Sequence, residues 1–124
     1  MNYHRGGVYW WSGYNHNRTH IQTGTRPVVI VSNDVCNELS PVIAVVPLTT
    51  HIKSPYPQQV PIIMNGGVSI VLADQITTVP VDELGSFVCT LKDFQMEQID
   101  RAIKVQLGLI DIHPNSKVSE YGTR

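Results

Sequence analysis

The chain has 124 residues, of which 42% are hydrophobic and 15% are charged. This composition excludes an intrinsically disordered polypeptide and suits one domain with a core of its own. Nine Lys and Arg against ten Asp and Glu give a net charge of −1, which excludes a protein that binds long polyanions through bulk positive charge. The charge is uneven, because no acidic residue precedes Asp34 whereas Arg5, Arg18 and Arg26 all do.

Short β-rich segments separated by turn residues make up the first 90 residues. The predicted strands are Val8–Trp11, Val28–Val31, Val42–Val46, Gln59–Met64, Val68–Ala73, Thr77–Val79 and Ser86–Thr90. The first strand is followed by a polar loop over residues 12–25. Asn33 and Asp34 can cap one helical turn over Val35–Leu39, and Pro47 indicates a sheet edge or a bulge. The sequence Asn65-Gly66-Gly67 predicts a hairpin.

One segment near the C-terminus has the periodicity of an amphipathic helix. Apolar residues recur there at spacings of three, four and four positions: Met96, Ile99, Ile103 and Leu107. Thr90 with Asp93 is a variant of the capping box, and Gly108 is a helix end signal. Strands followed by one such helix predict a mainly β domain with a strongly bent sheet or barrel over residues 1–112. Residues 113–124 are predicted as a polar, frayed tail.

Other features indicate a cytoplasmic protein without membrane association. Residues 1–7 contain no apolar run, and the longest uncharged stretch, residues 54–73, is interrupted by three prolines. Cys36 and Cys89 are predicted to be half-buried reduced thiols rather than a disulfide or metal ligands. His16 and His20 have a spacing that metals use, but the loop offers no third ligand, so solvated histidines are favoured and no metal is predicted.

Three groups of polar residues are candidates for chemistry. The loop around Arg18 and His20, with Trp10-Trp11 before it, has the cations and rings that bind single-stranded RNA; the alternative is a polar surface loop with one tryptophan in the core. The hydroxyl of Thr49 can donate to a phosphate oxygen or close an ST-turn. Asp74 can orient an arginine, accept a proton or cap backbone amides.

Several motifs follow one another along the chain. They are Arg5-Gly6-x-Val8-Tyr9-Trp10, Gln22-x-Gly24-x-Arg26-Pro27, Val46-Pro47-Leu48-Thr49-Thr50, Asp74-Gln75-Ile76-x-Thr78 and Leu107-Gly108-Leu109. In this order, and with these intervals, they resemble the MazF/PemK toxin family of type II toxin–antitoxin systems, which includes Kid-like members. The resemblance covers residues 5 to about 112.

The resemblance implies an SH3-like, partly open barrel of five to seven strands with a C-terminal helix, working as a homodimer without cofactor or metal. It implies a sequence-specific endoribonuclease that cleaves single-stranded mRNA by attack of the ribose 2′-hydroxyl. The products are a 2′,3′-cyclic phosphate and a 5′-hydroxyl, and a MazE-like antitoxin neutralises the enzyme. The catalytic residues that it implies are Arg26 and Thr49.

The resemblance leaves the general base open among His20, His51 and Asp74. The residues expected to contact RNA are Arg18, His20, Gln22, Thr50, His51, Gln75 and Thr77. The chain departs from the family pattern at Ile21, Leu72 and Thr77, where relatives have an acid or an arginine. Two alternatives therefore stay open: a non-catalytic RNA-binding SH3-like module, and a gyrase-inhibiting CcdB-like toxin, although residues 120–124 lack the C-terminal Trp-Gly-Ile of that branch.

Overall fold

The computed structural model describes residues 2–13, 25–51 and 58–112, and in these ranges seven strands and two α-helices follow one another. The strands are β1 (Gly7–Trp11), β2 (Arg26–Ile30), β3 (Val42–Thr49), β4 (Gln59–Met64), β5 (Gly67–Leu72), β6 (Thr77–Pro80) and β7 (Leu84–Thr90). The helices are α1 (Asp34–Leu39) and α2 (Asp93–Gln106), and single 3-10 turns cover Ala73–Gln75 and Val81–Glu83. Residues 113–124 lie outside the described residues, so the division into one domain and a tail stays a prediction.

The seven strands belong to one antiparallel sheet with the order β4-β5-β3-β2-β1-β7, and β6 is a further neighbour of β3. Strand β3 joins the two parts of this sheet, because its residues 42–45 pair with β6 whereas Leu48 and Thr49 pair with β5. Since β2 occupies the other side of β3, β5 and β6 lie in succession along one side, and the sheet curls into a half-barrel. The predicted fold, mainly β with a C-terminal helix and a partly open barrel, is confirmed.

Pro47 lies inside β3 and is buried, so the prediction of a sheet edge or bulge at this residue is wrong. Its partner in β2 is Val28. The Val31 N–H donates to the Ala44 carbonyl at 2.9 Å, so Val31 and Ala44 form a hydrogen-bonded pair. Along an antiparallel ladder such pairs alternate with non-hydrogen-bonded pairs, and the Val28–Pro47 pair lies three positions away. Val28 and Pro47 therefore form a non-hydrogen-bonded pair. The Pro47 nitrogen faces the other side of β3, between the segments that pair with β6 and β5, where no described strand requires its N–H.

Alternation of side chains along the strands produces two apolar cores, one on each face of the sheet. The helix-side core packs against α2 and consists of Val8, Val29, Val31, Val46, Leu48, Val60, Ile62, Val71, Ala73, Leu91, Met96, Ile99 and Ala102. The inner core on the opposite face consists of Trp11, Val28, Ile30, Ile43, Val45, Val79 and Leu84. A residue two positions along a strand from a core member faces the same side as that member, which fixes the direction of the polar residues at the strand ends.

Helix α2 places most of the predicted apolar stripe on the helix-side core. Met96 and Ile99 are buried, and Ile103 is half-buried against the same core. Leu107 is 53% exposed because α2 ends one residue before it, so the prediction that it belongs to the buried stripe is wrong. Gly108 has a φ of +74°, as expected of a residue that ends a helix. Neither α1 nor α2 is long and apolar enough to cross a bilayer.

The N-terminus of α2 is capped differently from the prediction, which placed a capping box at Thr90 and Asp93. The N-cap is Lys92, and its backbone N–H donates to Gln95 Oε1 at 2.9 Å. The Gln95 Nε2 group donates at 2.9 Å to the carbonyl oxygen of Ile63 in β4, which is an edge strand. The buried amide of Gln95 therefore ties the start of α2 to the edge of the sheet.

Replacing Gln95 by Ala is expected to lower the free energy of unfolding by about 2 kcal/mol, because two backbone groups lose their partner. Gln98 is exposed on the same helix, so Q98A is the matched control and is expected to change stability by less than about 0.5 kcal/mol. Urea unfolding followed by circular dichroism measures both values. Equal losses of stability in the two variants would contradict this role of Gln95.

The two cysteines are free thiols that differ in exposure. Cys36 in α1 is exposed, so the prediction that it is half-buried is wrong, whereas Cys89 in β7 is half-buried as predicted. Burial raises the pKa of the Cys89 thiol. At a given pH a smaller fraction of this side chain is therefore in the reactive thiolate form.

At pH 8, iodoacetamide is expected to alkylate Cys36 well before Cys89, because the reagent must reach the sulfur and the thiolate is the nucleophile. Mass spectrometry of peptides from timed aliquots measures both reactions. The variant C36S should remove the fast phase, and unfolding in urea should make the two rates similar. Faster alkylation of Cys89 in the folded protein would overturn this expectation.

Candidate functional site

Residues from β1, β2 and β3 form a row across the sheet at one end of the inner core. Trp11 of β1 pairs with Arg26 of β2. Val28 pairs with Pro47 of β3, and continuing this register by two residues places Arg26 opposite Thr49. Because Arg26 lies two positions from Val28, a member of the inner core, the row faces the same side as that core. The extended register thus sets opposite each other the two residues that the family resemblance implies to be catalytic.

The paired segment of β2 and β3 ends just before this row. The next pair after Val28 would join Pro27 to Leu48 by backbone hydrogen bonds. Pro27 has no N–H to donate, so the ladder stops there. In the extended register, Arg26 and Thr49 come directly after Pro27 and Leu48, at the start of β2 and the end of β3.

Arg26 is 8% exposed, and arginine side chains are seldom buried to this degree. The residue begins β2, two positions before Val28 of the inner core. A guanidinium carries five N–H donors in a planar fork, which matches two oxygens of one phosphate or carboxylate. Arg26 is thus suited to hold an anion at this end of the sheet.

Thr49 ends β3 in an ST-turn. Its Oγ1 atom accepts a hydrogen bond at 3.1 Å from the backbone N–H of His51. Accepting this bond uses an oxygen lone pair, so the hydroxyl keeps its own proton for donation. The side chain is half-buried, whereas Thr50 and His51 are exposed directly after it. Thr49 therefore has a neutral donor available at the end of β3.

The predicted site residues between positions 74 and 77 are not all close to the row. Asp74 and Gln75 belong to the 3-10 turn between β5 and β6, which contacts β3 and α2. Asp74 Oδ1 is buried without a hydrogen-bond partner in the described part of the chain, and Gln75 is exposed. Thr77 pairs with Val45, four residues before Thr49, which corresponds to about 13 Å along β3. The structure does not bring Thr77 to Arg26 and Thr49.

Several predicted positions cannot be placed in this geometry. Arg18, His20 and Gln22 lie outside the described residues, as does Ile21. Leu72, another position where the chain departs from the family, is buried at the end of β5. Within residues 2–13, 25–51 and 58–112, no group of three His, Cys, Asp or Glu side chains is placed to hold a metal ion.

Among the described residues of the basic first third, Arg5 and Arg26 lie on opposite faces of the sheet. The Arg5 guanidinium donates from Nη2 to Asp100 of α2 and from Nε to the Val31 carbonyl at 3.0 Å. The Arg5 backbone N–H donates to Asp34 Oδ1 at 2.6 Å. Arg5 therefore joins the segments of Val31, Asp34 and α2. Its guanidinium pairs with the Asp100 carboxylate on the helix side of the sheet, away from the row.

Sequence reasoning missed a contact at Trp11. It predicted that one of the two adjacent tryptophans faces the core, and the structure shows Trp11 8% exposed and Trp10 42% exposed. The Trp11 Nε1 group donates to Glu83 Oε1 at 2.8 Å. Strand alternation required one of the two tryptophans to face the core without deciding which, and no sequence signal pointed to Glu83, which lies 72 positions further along. The contact depends on the pairing of β1 with β7.

Comparison with known proteins shows the family of the chain. Residues 4–107 match the model of a family described as PemK-like, MazF-like toxin of type II toxin-antitoxin system. The chain is similar to the endoribonuclease EndoA of Bacillus subtilis, with 35% identity over 95 residues that cover 73% of this chain and 82% of that protein.

Solved structures show the same likeness. An endoribonuclease from a mycobacterial species, in complex with its cognate antitoxin, has a TM-score of 0.72 and 29% identity, covering 88% of this chain and 98% of that chain. MazF from Deinococcus radiodurans has a TM-score of 0.75 with 20% identity, covering 87% of this chain and 98% of that chain. At 20% identity, the likeness to the Deinococcus protein shows a common fold.

Proposed function

The chain belongs to the PemK/MazF family of toxins of type II toxin–antitoxin systems, and we propose that it is a sequence-specific endoribonuclease acting on single-stranded RNA, with mRNA as the cellular substrate. In the proposed reaction a ribose 2′-hydroxyl attacks the adjacent phosphorus and the bond to the 5′ oxygen breaks. A base on the enzyme takes the proton of the attacking hydroxyl, and the leaving 5′ oxygen receives one. The products are a 2′,3′-cyclic phosphate and a 5′-hydroxyl, without participation of a metal ion.

The observation that carries this proposal is the β2–β3 register, in which Val28 pairs with Pro47; continued by two residues, it sets Arg26 opposite Thr49. Cyclisation places additional negative charge on the non-bridging phosphate oxygens in the transition state. A buried guanidinium that donates to two of these oxygens stabilises this charge, and the Thr49 hydroxyl supplies a further donor. Because arginine side chains in proteins stay protonated, we assign Arg26 to electrostatic stabilisation rather than to proton transfer.

The proton acceptor comes from His20, His51 or Asp74. His51 follows the ST-turn of Thr49 and is exposed, so its imidazole lies near the strand end where the phosphate is proposed to bind. Asp74 offers a carboxylate oxygen that has no hydrogen-bond donor among the described residues. The variants H20Q, H51Q and D74N distinguish the three: the base variant should lose cleavage but keep its affinity for an uncleavable RNA with a 2′-deoxy nucleotide at the cleavage site.

The remaining residues are proposed to bind nucleotides on both sides of the scissile phosphate. The set is Arg18, His20, Gln22, Thr50, His51, Gln75 and Thr77. Thr50 and His51 are exposed next to Thr49, which supports a contact with the nucleotide that adjoins the reacting phosphate. Thr77 lies about 13 Å along β3 from Thr49, so we assign it to a nucleotide further away.

The protein is proposed to act in the cytoplasm as a homodimer that a MazE-like antitoxin neutralises. The mycobacterial relative was solved with its cognate antitoxin, which supports a protein inhibitor for this chain. A carboxylate presents two oxygens to a guanidinium in the same way as a phosphate does. An acidic antitoxin segment would therefore compete with RNA for Arg26.

Incubation of the purified chain with a long mixed-sequence RNA in EDTA tests the proposal. We expect cuts at one recurring sequence, with 5′-hydroxyl ends that polynucleotide kinase labels directly and 3′ ends that carry a cyclic phosphate. A 2′-deoxy substitution at the cleaved nucleotide should abolish the cut there. Fragments with 5′-phosphates, or cleavage that requires added Mg²⁺, would be incompatible with the proposed reaction.

The same experiment separates the two alternatives. RNA that is bound in a mobility-shift assay but stays intact would indicate the non-catalytic RNA-binding module. Intact RNA together with inhibited DNA supercoiling by gyrase would indicate the CcdB-like toxin.

A further inference from the structure

We propose that Trp11 is a positioning residue for Arg26: its indole, held by Glu83, confines the guanidinium from the β1 side and directs it toward Thr49. The inference rests on the proposed function, because it concerns how the catalytic arginine is held. It adds a residue that acts through Arg26, without contact with the reacting atoms.

The indole of Trp11 is held along its N–H edge. Its Nε1 group donates to Glu83 Oε1 at 2.8 Å, and this carboxylate belongs to the 3-10 turn that leads into β7. Along the same edge the ring packs so closely against Gly13 that a Cβ atom there would lie 2.2 Å from Trp11 Nε1 and 2.4 Å from Trp11 Cζ2. Trp11 is 8% exposed. A ring with a fixed N–H bond and no room to turn keeps one orientation.

This fixed ring is the direct cross-strand neighbour of Arg26. Side chains of residues that pair across two antiparallel strands contact each other, and Trp11 pairs with Arg26. The indole therefore fills the space on the β1 side of Arg26. On the β3 side the next residue of the row is Thr49, where the side chain is smaller. The guanidinium is thereby confined toward Thr49, where the phosphate is proposed to bind.

Confinement matters because an arginine side chain has many rotamers, and catalysis requires one of them. A guanidinium that is already aligned with the phosphate loses little freedom when the transition state forms, and a displacement of about 1 Å costs large factors in rate. Removing the Trp11 contact should therefore lower kcat while leaving most of the RNA affinity, which other residues supply.

The test compares two tryptophans of one strand. W11F removes the indole N–H and part of the ring beside Arg26, whereas W10F makes the same chemical change at a residue that is 42% exposed on the other face of β1. We expect W11F to lower kcat about tenfold with KM within about twofold of the wild type, and W10F to change neither by more than about twofold. E83Q should keep kcat near the wild-type value because its amide oxygen still accepts the bond, whereas E83L should resemble W11F.

A second measurement does not depend on RNA cleavage. In the wild type, the Nε–Hε group of Arg26 should give one resolved signal in a ¹⁵N–¹H NMR spectrum, assigned by its loss in R26K, and W11F should broaden it or move it toward the position of exposed arginines. An unchanged signal together with an unchanged kcat in W11F would overturn the inference. If the wild-type protein does not cleave RNA, the proposed function fails, and the NMR signal still decides whether Trp11 confines Arg26.

Discussion

Replacing Arg26 by Ala is expected to lower the single-turnover rate of RNA cleavage about 10³-fold, because an arginine that stabilises charge on a reacting phosphate contributes rate factors of this size. R26K should recover only part of the loss. It restores the charge, but an ammonium cannot donate to two phosphate oxygens in the planar geometry of a guanidinium. The measurement uses excess enzyme and a short labelled RNA that contains one cleavage site.

The control for this experiment is R101A, which removes the same side chain from an exposed position on α2. It should cleave within about twofold of the wild-type rate. Because Arg26 is buried, each variant also needs a melting curve and an affinity for the 2′-deoxy RNA. A folded R26A that binds this RNA and cleaves the normal substrate within tenfold of the wild type would refute the assignment of Arg26.

The net charge of −1 remains compatible with RNA cleavage once the charges are located. The Arg5 guanidinium is paired with Asp100 on the helix side of the sheet, whereas Arg26 lies at the other face, at the end of the inner core. In the proposed reaction Arg26 acts on one phosphate, which needs no excess of positive charge over the whole surface. The affinity for RNA should accordingly depend less on salt than that of a basic RNA-binding module, because fewer phosphates are neutralised.

Local patterns predicted the elements of the fold because they depend on neighbours in the sequence. Alternating valines in β2 place Val28 in the inner core and Val29 in the helix-side core, and the spacing of apolar residues located α2. The errors arose where a distant element decides the outcome. Pro47 sits inside β3 because the partner on one side of this strand changes there. In place of the predicted capping box, the Gln95 side chain accepts from the backbone N–H of Lys92, the N-cap of α2, and donates to the Ile63 carbonyl in β4.

The sequence named the candidate site residues but not their arrangement in space. Arg26 and Thr49 come from motifs of the family resemblance, but their opposition follows from the register between β2 and β3, which no local pattern determines. The bond between Trp11 and Glu83 depends on the pairing of β1 with β7 and has no counterpart in the sequence. Thr77 belongs to the same motif as Asp74, yet it pairs with Val45, four residues before Thr49 on β3.

Replacing Thr49 by Val is expected to lower kcat about 10²-fold, the usual effect of removing one donor to a developing oxyanion. Valine has nearly the same shape as threonine, so the inner core is little disturbed, but it lacks the oxygen that accepts from the His51 N–H. T49S keeps the hydroxyl and is the matched control, with kcat expected within about fivefold of the wild type.

The two variants separate the two functions of this hydroxyl. If Thr49 only closes the ST-turn, T49V should lower the melting temperature and raise KM for RNA through displacement of Thr50 and His51, with kcat at saturating RNA preserved. If it donates to the phosphate, kcat falls even where binding is saturated, because the lost bond is one that strengthens in the transition state. Equal kcat values for T49V, T49S and the wild type would therefore mean that the Thr49 hydroxyl has only a structural role. Among the residues of the row, Arg26 alone would then contact the phosphate.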